Sequence, residues 1–119
     1  MAEDLRIFLR LWTGGRKFGP GKAELLERIG TLGSISAAGR EMGVSYKRAW
    51  SLVEEMNAMF AKPLVLPARG GAGGGGAQLT PEGARAAALF RALEARLADA
   101  GAAELAELGA MLSDVSDET

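Results

Sequence analysis

Residues 34–60, SISAAGREMGVSYKRAWSLVEEMNAMF, decide the fold. Ser34 or Ser36 can cap a first helix, because a hydroxyl there accepts a hydrogen bond from a backbone N–H group that has no partner within the helix. Gly43 marks the end of that helix, where a left-handed backbone is common. Ser45 can then cap a second helix. The pattern predicts two helices joined by a tight turn.

The second helix has an apolar face and a polar face. Residues three and four positions apart share a helix face, and here they are Tyr46, Ala49, Trp50, Val53, Met56 and Phe60. We assign Tyr46 and Trp50 mainly to the core. The other face begins with Lys47, Arg48 and Ser51. Any helical hairpin would have the stripe, but cations at a helix N-terminus oppose its dipole. They are typical of a recognition helix in a helix-turn-helix.

Composition restricts the possible functions. The chain has 119 residues, which indicates one small domain. It has no cysteine and no histidine, so it lacks disulfides, thiolate metal ligands and the usual general base. We therefore expect neither an enzyme nor a cofactor. The N-terminus lacks the basic region of a secretory signal, and no apolar run reaches the roughly 20 residues that span a bilayer. These features predict a cytoplasmic protein.

Charge is unevenly distributed along the chain. Residues 1–98 carry all 14 lysines and arginines and 9 acids, a net charge of +5, whereas residues 99–119 carry 6 acids and no base. A basic domain is the expected footprint of a nucleic-acid-binding protein. We predict a DNA-binding domain over residues 1–109, which includes a C-terminal helix, and an acidic, disordered tail over residues 110–119.

The segments before the helix-turn-helix predict a strand, a loop and a helix. Residues 5–12, LRIFLRLW, alternate in a pattern typical of a half-buried strand. On its second face Phe8 and Trp12 would either contact a partner chain or close the edge of the domain's own core. Residues 13–22 are rich in turn formers. Residues 20–32 have the apolar spacing of a first helix, which Gly33 ends.

A glycine run separates two short strand candidates, residues 64–69 and 77–80. Such a run is most often a flexible linker, but neither side of it forms a complete domain. Two strands around a loop directly after a recognition helix are typical of the wing of a winged helix. Backbone without side chains can approach a phosphate closely. The DNA contacts predicted here are Arg69, Gly70, Gly71, Gly73 and Gly74.

The sequence Thr80-Pro81-Glu82 predicts the start of a long C-terminal helix, with a hydroxyl cap, a proline and an acid in the first turn. Its apolar stripe is larger than the outside of a small domain needs. The same helix of a second copy could bury this stripe, or the helix could fold back onto its own bundle. The predicted dimerisation residues are Phe8, Trp12, Leu89, Phe90, Leu93 and Leu97.

Several motifs together resemble the DNA-binding domain of the ModE-type, molybdate-responsive transcriptional regulators. They are Gly33-Ser34-Ile35-Ser36, Gly43-Val44-Ser45-Tyr46-Lys47, Ala49-Trp50, Glu55-Met56-Asn57 and the glycine wing from Arg69 to Thr80. LysR-type regulators share the broader helix-turn-helix. The resemblance implies a mainly α fold with a small β wing, dimerisation through this domain, and regulation of molybdate-uptake or molybdoenzyme genes. Full-length members carry C-terminal oxyanion-binding domains without counterpart here, which puts molybdate binding by this chain in doubt.

We therefore predict a homodimeric regulator that binds double-stranded DNA at palindromic operators. In the recognition helix the predicted contacts are Ser45, Lys47, Arg48 and Ser51. Ser34, Ser36 and Arg40 could anchor phosphates beside the first helix, although Arg40 would equally suit a solvated surface. Two alternatives stay open: a protein-interaction module that uses the C-terminal helix, and a regulator of genes without a molybdate link.

Overall fold

A computed structural model describes residues 5–69 and 76–113. These residues form five helices and two small antiparallel sheets, an architecture compatible with the predicted winged helix. In chain order the elements are β1 (Leu11–Thr13), β2 (Arg16–Phe18), α1 (Pro20–Leu32), α2 (Ile35–Met42), α3 (Tyr46–Met59), β3 (Val65–Pro67), β4 (Ala77–Leu79), α4 (Pro81–Ala100) and α5 (Ala102–Ala110).

The ends of the first three helices confirm the predictions from capping residues. Gly33 and Gly43 follow α1 and α2 in the left-handed region, at φ of 67° and 74°. The Ser34 hydroxyl accepts a hydrogen bond of 3.1 Å from the backbone N–H of Ala37 and so caps α2. The Ser45 hydroxyl caps α3 in the same way. Of the two candidate caps for α2, Ser34 is the one used.

Helices α1, α2 and α3 bury one shared apolar core. Its members on these helices are Ala23, Leu25, Leu26, Ile29, Ile35, Ala38, Ala49, Val53 and Met56. Small residues let α2 and α3 approach closely, since a Cβ added at Gly39 would lie 3.1 Å from the Cβ of Ala49. The close approach fixes the angle at which α3 leaves the turn, and therefore which face of α3 meets solvent.

Strands β3 and β4 form the base of the predicted wing. They pair antiparallel, with Val65 opposite Leu79 and Pro67 opposite Ala77, so the glycine run connects two strands of one hairpin. A bridge joins Ser34 to Gly76, and the backbone N–H of Ala77 donates to the Gly33 carbonyl at 3.0 Å. The wing base is thus fixed to the turn between α1 and α2. Gly70, Gly71, Gly73 and Gly74 lie outside the described residues.

The N-terminal strand prediction was wrong in extent. Residues 5–10 have no regular structure, and the strand β1 covers only the end of the predicted segment. The predicted loop contains a second strand, because Gly14 and Gly15 take φ of 55° and 79° and form a two-residue hairpin turn. Alternation alone did not produce a strand where no partner strand was present.

Phe18, at the end of β2, joins an aromatic cluster that the sequence did not predict. It is buried and packs edge-on against Phe60 at 5.8 Å and Phe90 at 5.3 Å between ring centroids. Phe90 is 2 % exposed and belongs to the chain's own core. Its predicted dimerisation contact is therefore withdrawn.

Helix α4 folds back onto α1 through its first half. The Thr80 hydroxyl accepts a hydrogen bond of 2.9 Å from the Gly83 backbone and caps the helix as predicted. Arg91 donates two hydrogen bonds of 2.9 Å to the carboxylate of Glu27 on α1, which lowers the pKa of Glu27. Helix α4 ends at Ala100, where Gly101 separates it from α5, and no residue of α5 is buried.

Three other aromatic residues are exposed, and for Tyr46 this contradicts the prediction. Tyr46 is 53 % exposed, so its assignment to the core was wrong; it lies at the solvent edge against the ring of Trp50. Phe8 and Trp12 are each 67 % exposed and do not close the edge of the core. Among the described helices, none has the length and apolar character that a bilayer crossing requires.

Candidate nucleic-acid interface

The first turn of α3 presents two exposed cations. Lys47 and Arg48 occupy its second and third positions and are both exposed. The Ser45 hydroxyl accepts a hydrogen bond of 3.0 Å from the Arg48 backbone N–H, which fixes the direction of this turn. Ser51 is half-buried one turn further along, on the same side as Lys47. The arrangement offers two charged donors and a hydroxyl to one ligand surface.

The pairing of cations separates structural residues from residues that can bind an external anion. Four of the 14 lysines and arginines, namely Lys22, Arg28, Lys62 and Arg91, form ion pairs within the described part of the chain. No described carboxylate lies within 4.0 Å of the others. Seven of these others lie on the N-terminal hairpin and its approach, α2, α3 and the wing: Arg10, Arg16, Lys17, Arg40, Lys47, Arg48 and Arg69.

The wing base is held against α3 by Asn57. Its side-chain carbonyl accepts hydrogen bonds from the backbone N–H groups of Leu64 at 2.8 Å and Val65 at 3.2 Å. Its side-chain amide donates to the Val65 carbonyl at 3.0 Å. Arg69 is exposed two residues after β3 and lines the same shallow surface groove as Gly33, at the turn before α2. The guanidinium can therefore reach a ligand that lies along α2 and the wing.

The predicted phosphate contacts beside α2 divide into two groups. Ser34 is 0 % exposed and its hydroxyl is used in the α2 cap, so the predicted phosphate contact of its side chain is withdrawn. Arg40 is exposed, and its Nη1 donates a long hydrogen bond of 3.4 Å to the hydroxyl of half-buried Ser36. A phosphate could replace that weak contact because the guanidinium keeps other donors.

A groove of about 580 Å³ lies between the β1–β2 hairpin and α3, and of the cations that line it Arg10, Arg16 and Lys17 were not assigned to a site from the sequence. Arg10, Arg16, Lys17 and Arg48 line this hairpin groove. At its wall the buried Lys22 pairs with Glu55 at 2.7 Å. The hydrogen bond from Lys22 lowers the pKa of Glu55, and nearby Arg48 and Arg16 lower it further. The signal in the sequence was Gly14-Gly15 followed by two cations.

A second surface is apolar. Leu89, Leu93 and Leu97 form an exposed row along α4, hereafter the α4 face. Beside it lies a groove of about 310 Å³ lined by Leu11, Trp12, Phe60 and other apolar residues. The described residues leave this surface uncovered. Within the same residues no group of three His, Cys, Asp or Glu side chains could hold a metal ion.

The chain is similar to several molybdenum-related proteins. It is 50 % identical over 84 residues to the molybdenum-pterin-binding protein MopB of Rhodobacter capsulatus, covering 71 % of this chain and 31 % of that protein. It is 45 % identical over 73 residues to the molybdenum transport protein ModE of Azotobacter vinelandii, covering 61 % and 27 %. It is 45 % identical over 71 residues to the DNA-binding transcriptional dual regulator ModE of Escherichia coli (strain K12), covering 60 % and 27 %.

The aligned part makes up 27–31 % of the length of these curated relatives. No protein-family model matches the chain. The similarity therefore concerns one part of each relative.

Proposed function

We propose that this chain is a DNA-binding unit of the ModE type that regulates transcription of genes linked to molybdenum. The observation that carries the proposal is the pair of exposed cations, Lys47 and Arg48, on the capped first turn of α3, which form no ion pair with any described carboxylate. Their position matches the end of a recognition helix that meets base edges. The similarity to the Escherichia coli relative, a DNA-binding transcriptional dual regulator, supports the same function.

In the proposed complex α3 enters the major groove with its N-terminal turn. Arg48 and Lys47 then contact base edges or phosphates, with Ser45 and Ser51 as hydrogen-bonding neighbours. Arg40, Ser36 and Arg69 contact the flanking phosphates, and the glycines of the wing let the duplex approach closely. Two copies would read half-sites about 34–36 Å apart on a palindromic operator.

Replacing Arg48 or Lys47 with alanine tests this arrangement. If Arg48 reads a guanine, Arg48→Ala should weaken operator binding by about 1–3 kcal/mol and relax discrimination at one base pair. If Lys47 binds a phosphate, Lys47→Ala should weaken binding to all sequences. It should also reduce the magnitude of the slope of log K against log salt concentration by about one. Fluorescence anisotropy with promoter duplexes over a series of NaCl concentrations measures both quantities.

Arg85→Ala is the matched control, because Arg85 is also exposed and pairs with no described carboxylate, but lies on α4. It should leave affinity and slope nearly unchanged. Wild-type chain without salt-dependent duplex binding would exclude the proposed function. The exposed α4 face would then favour the alternative, a protein-interaction module.

We also propose that two copies associate through the α4 face and the adjoining Trp12, and that the exposed Phe8 adds to this contact. The exposed leucines of this face support the proposal, since a second copy would remove them from water. The double variant Leu93→Glu/Leu97→Glu should shift the chain from dimer to monomer in sedimentation equilibrium. Ala95→Glu, which adds one charge on the opposite side of α4, should leave the dimer intact; a monomeric wild type contradicts the proposal.

A further inference from the structure

We propose that the β1–β2 hairpin is a second DNA-contacting arm, which binds backbone phosphates beside α3 through Arg16 and Lys17. The inference rests on the proposed function, because it places the duplex against the N-terminal turn of α3. It adds a contact segment outside the helix-turn-helix and the wing. Both side chains are exposed, and no described carboxylate pairs with either of them.

The hairpin and the wing lie on opposite flanks of α3. Asn57 carries the hydrogen bonds to β3, and Glu55 carries the ion pair to Lys22, next to the hairpin. The two positions are two residues apart, which corresponds to about 200° around a helix. A duplex that meets the outer face of α3 between these flanks can contact both hairpins.

The hairpin groove is continuous with the recognition surface. Arg48, on the first turn of α3, lines the same groove as Arg16 and Lys17. Lys17 also binds the hairpin's own surface, since its ammonium lies 5.7 Å from the centre of the Trp12 ring. At the tip Gly14 and Gly15 carry no side chains, so a sugar-phosphate backbone meets no steric obstacle there.

The electrostatics of the groove favour a polyanion. Glu55 is the carboxylate among its lining residues, and Lys22 already neutralises it. Arg10, Arg16, Lys17 and Arg48 then supply a positive field at the open side. The N-terminus of α1 adds to this field, because its cap, Gly19, makes no side-chain hydrogen bond and its first turn has no acid.

The geometry favours a duplex over a small oxyanion. A selective site for a small anion needs buried donors that lack a partner in the empty protein. The buried cation of this groove, Lys22, is instead satisfied by Glu55 and by the Lys17 carbonyl. The available cations lie at the exposed rim, as the contacts of a nucleic-acid backbone do.

The double variant Arg16→Ala/Lys17→Ala tests the inference. Each lost phosphate contact makes the negative slope of log K against log salt shallower by about 0.9, so the slope of the double variant should be shallower by about 1.8. Base discrimination should stay unchanged, because phosphate contacts carry no sequence information. The swap Arg16→Lys/Lys17→Arg keeps both charges and should restore the slope. Fluorescence anisotropy over a NaCl series is the measurement, with circular dichroism to verify folding.

The matched control is Arg85→Ala/Arg96→Ala, which removes two exposed charges from α4 that pair with no described carboxylate. A slope for Arg16→Ala/Lys17→Ala equal to that of this control overturns the inference, while a reduced slope for Lys47→Ala leaves the proposed function intact. Wild type that binds no duplex at any salt overturns both. Calorimetry with inorganic phosphate tests for a small-anion site instead. Such a site is indicated if the wild type binds phosphate at micromolar concentration, the double variant does not, and the salt slope of duplex binding is the same for both.

Discussion

Gly83→Ala should destabilise the chain by about 3 kcal/mol, which for a domain of this size lowers the melting temperature by roughly 10 °C. A Cβ at this position would clash with the carbonyl oxygen of Leu64 and lie 2.6 Å from the Cδ1 of Leu79. The first obstacle is backbone on the strand side of the wing, and it cannot move away as a side-chain end could. Alanine is normally the better helix former, so the expected sign is opposite to intrinsic propensity.

Gly21→Ala is the control for that substitution. Gly21 also lies in the first turn of a helix, and a Cβ there meets no atom within 4 Å. It should be neutral or stabilising by up to about 1 kcal/mol. Thermal and urea unfolding followed by circular dichroism compare the two variants. Equal melting temperatures for both would show that α4 does not pack against the wing base as described.

Asn57→Ala should cost about 3 kcal/mol and loosen the wing. The amide side chain makes three hydrogen bonds to the backbone of Leu64 and Val65, which are themselves buried. Alanine leaves these backbone groups without partners, and each unpaired buried group costs about 1–3 kcal/mol. Urea unfolding measures the loss of stability, and hydrogen exchange at Leu64 and Val65 reports whether the loss is local.

Two further variants make the Asn57 result specific. Asn57→Asp keeps the acceptor for both N–H groups but loses the donor to the Val65 carbonyl, so it should cost about half as much. Gln78→Ala removes an exposed side chain from β4 and should change stability by less than about 0.5 kcal/mol. If Asn57→Ala were as mild as Gln78→Ala, the wing would be held by strand pairing alone.

The sequence predicted those parts of the fold that depend on local chemistry. Two helices end at glycines in the left-handed region, Gly33 and Gly43. Two others begin at hydroxyls that accept a hydrogen bond from a backbone N–H of the first turn, those of Ser45 and Thr80. These effects act within three or four residues, so a short segment contains everything that determines them. The order of helices and wing strands followed from the same signals.

Features that depend on distant residues were predicted less well. Phe18 is buried because Phe60 and Phe90 meet it from two other segments, which no local pattern reveals. Tyr46 has the spacing of the buried stripe, yet it begins α3 at the end that projects beyond the core, and it stays exposed. Spacing assigns a residue to a helix face, but the length of the neighbouring elements decides whether that face is covered.

The candidate site shows the same division. Exposure of Lys47 and Arg48 followed from their place after the Ser45 cap and opposite the apolar stripe. The hairpin groove could not be predicted from the sequence, because its cations come from two segments that only the fold brings together. Ser34 was assigned to a phosphate, but its hydroxyl accepts the capping hydrogen bond inside the fold and is fully buried, so no phosphate can reach it.

Helix α1 is the common support of everything that would touch a partner. Glu27 ties it to α4, Lys22 ties it to α3, and the turn after Gly33 receives the wing. If two copies pair through α4, these contacts fix the distance between the two α3 recognition helices of the dimer. An operator with one base pair inserted between its half-sites, a displacement of about 3.4 Å, would then no longer fit both recognition helices at once.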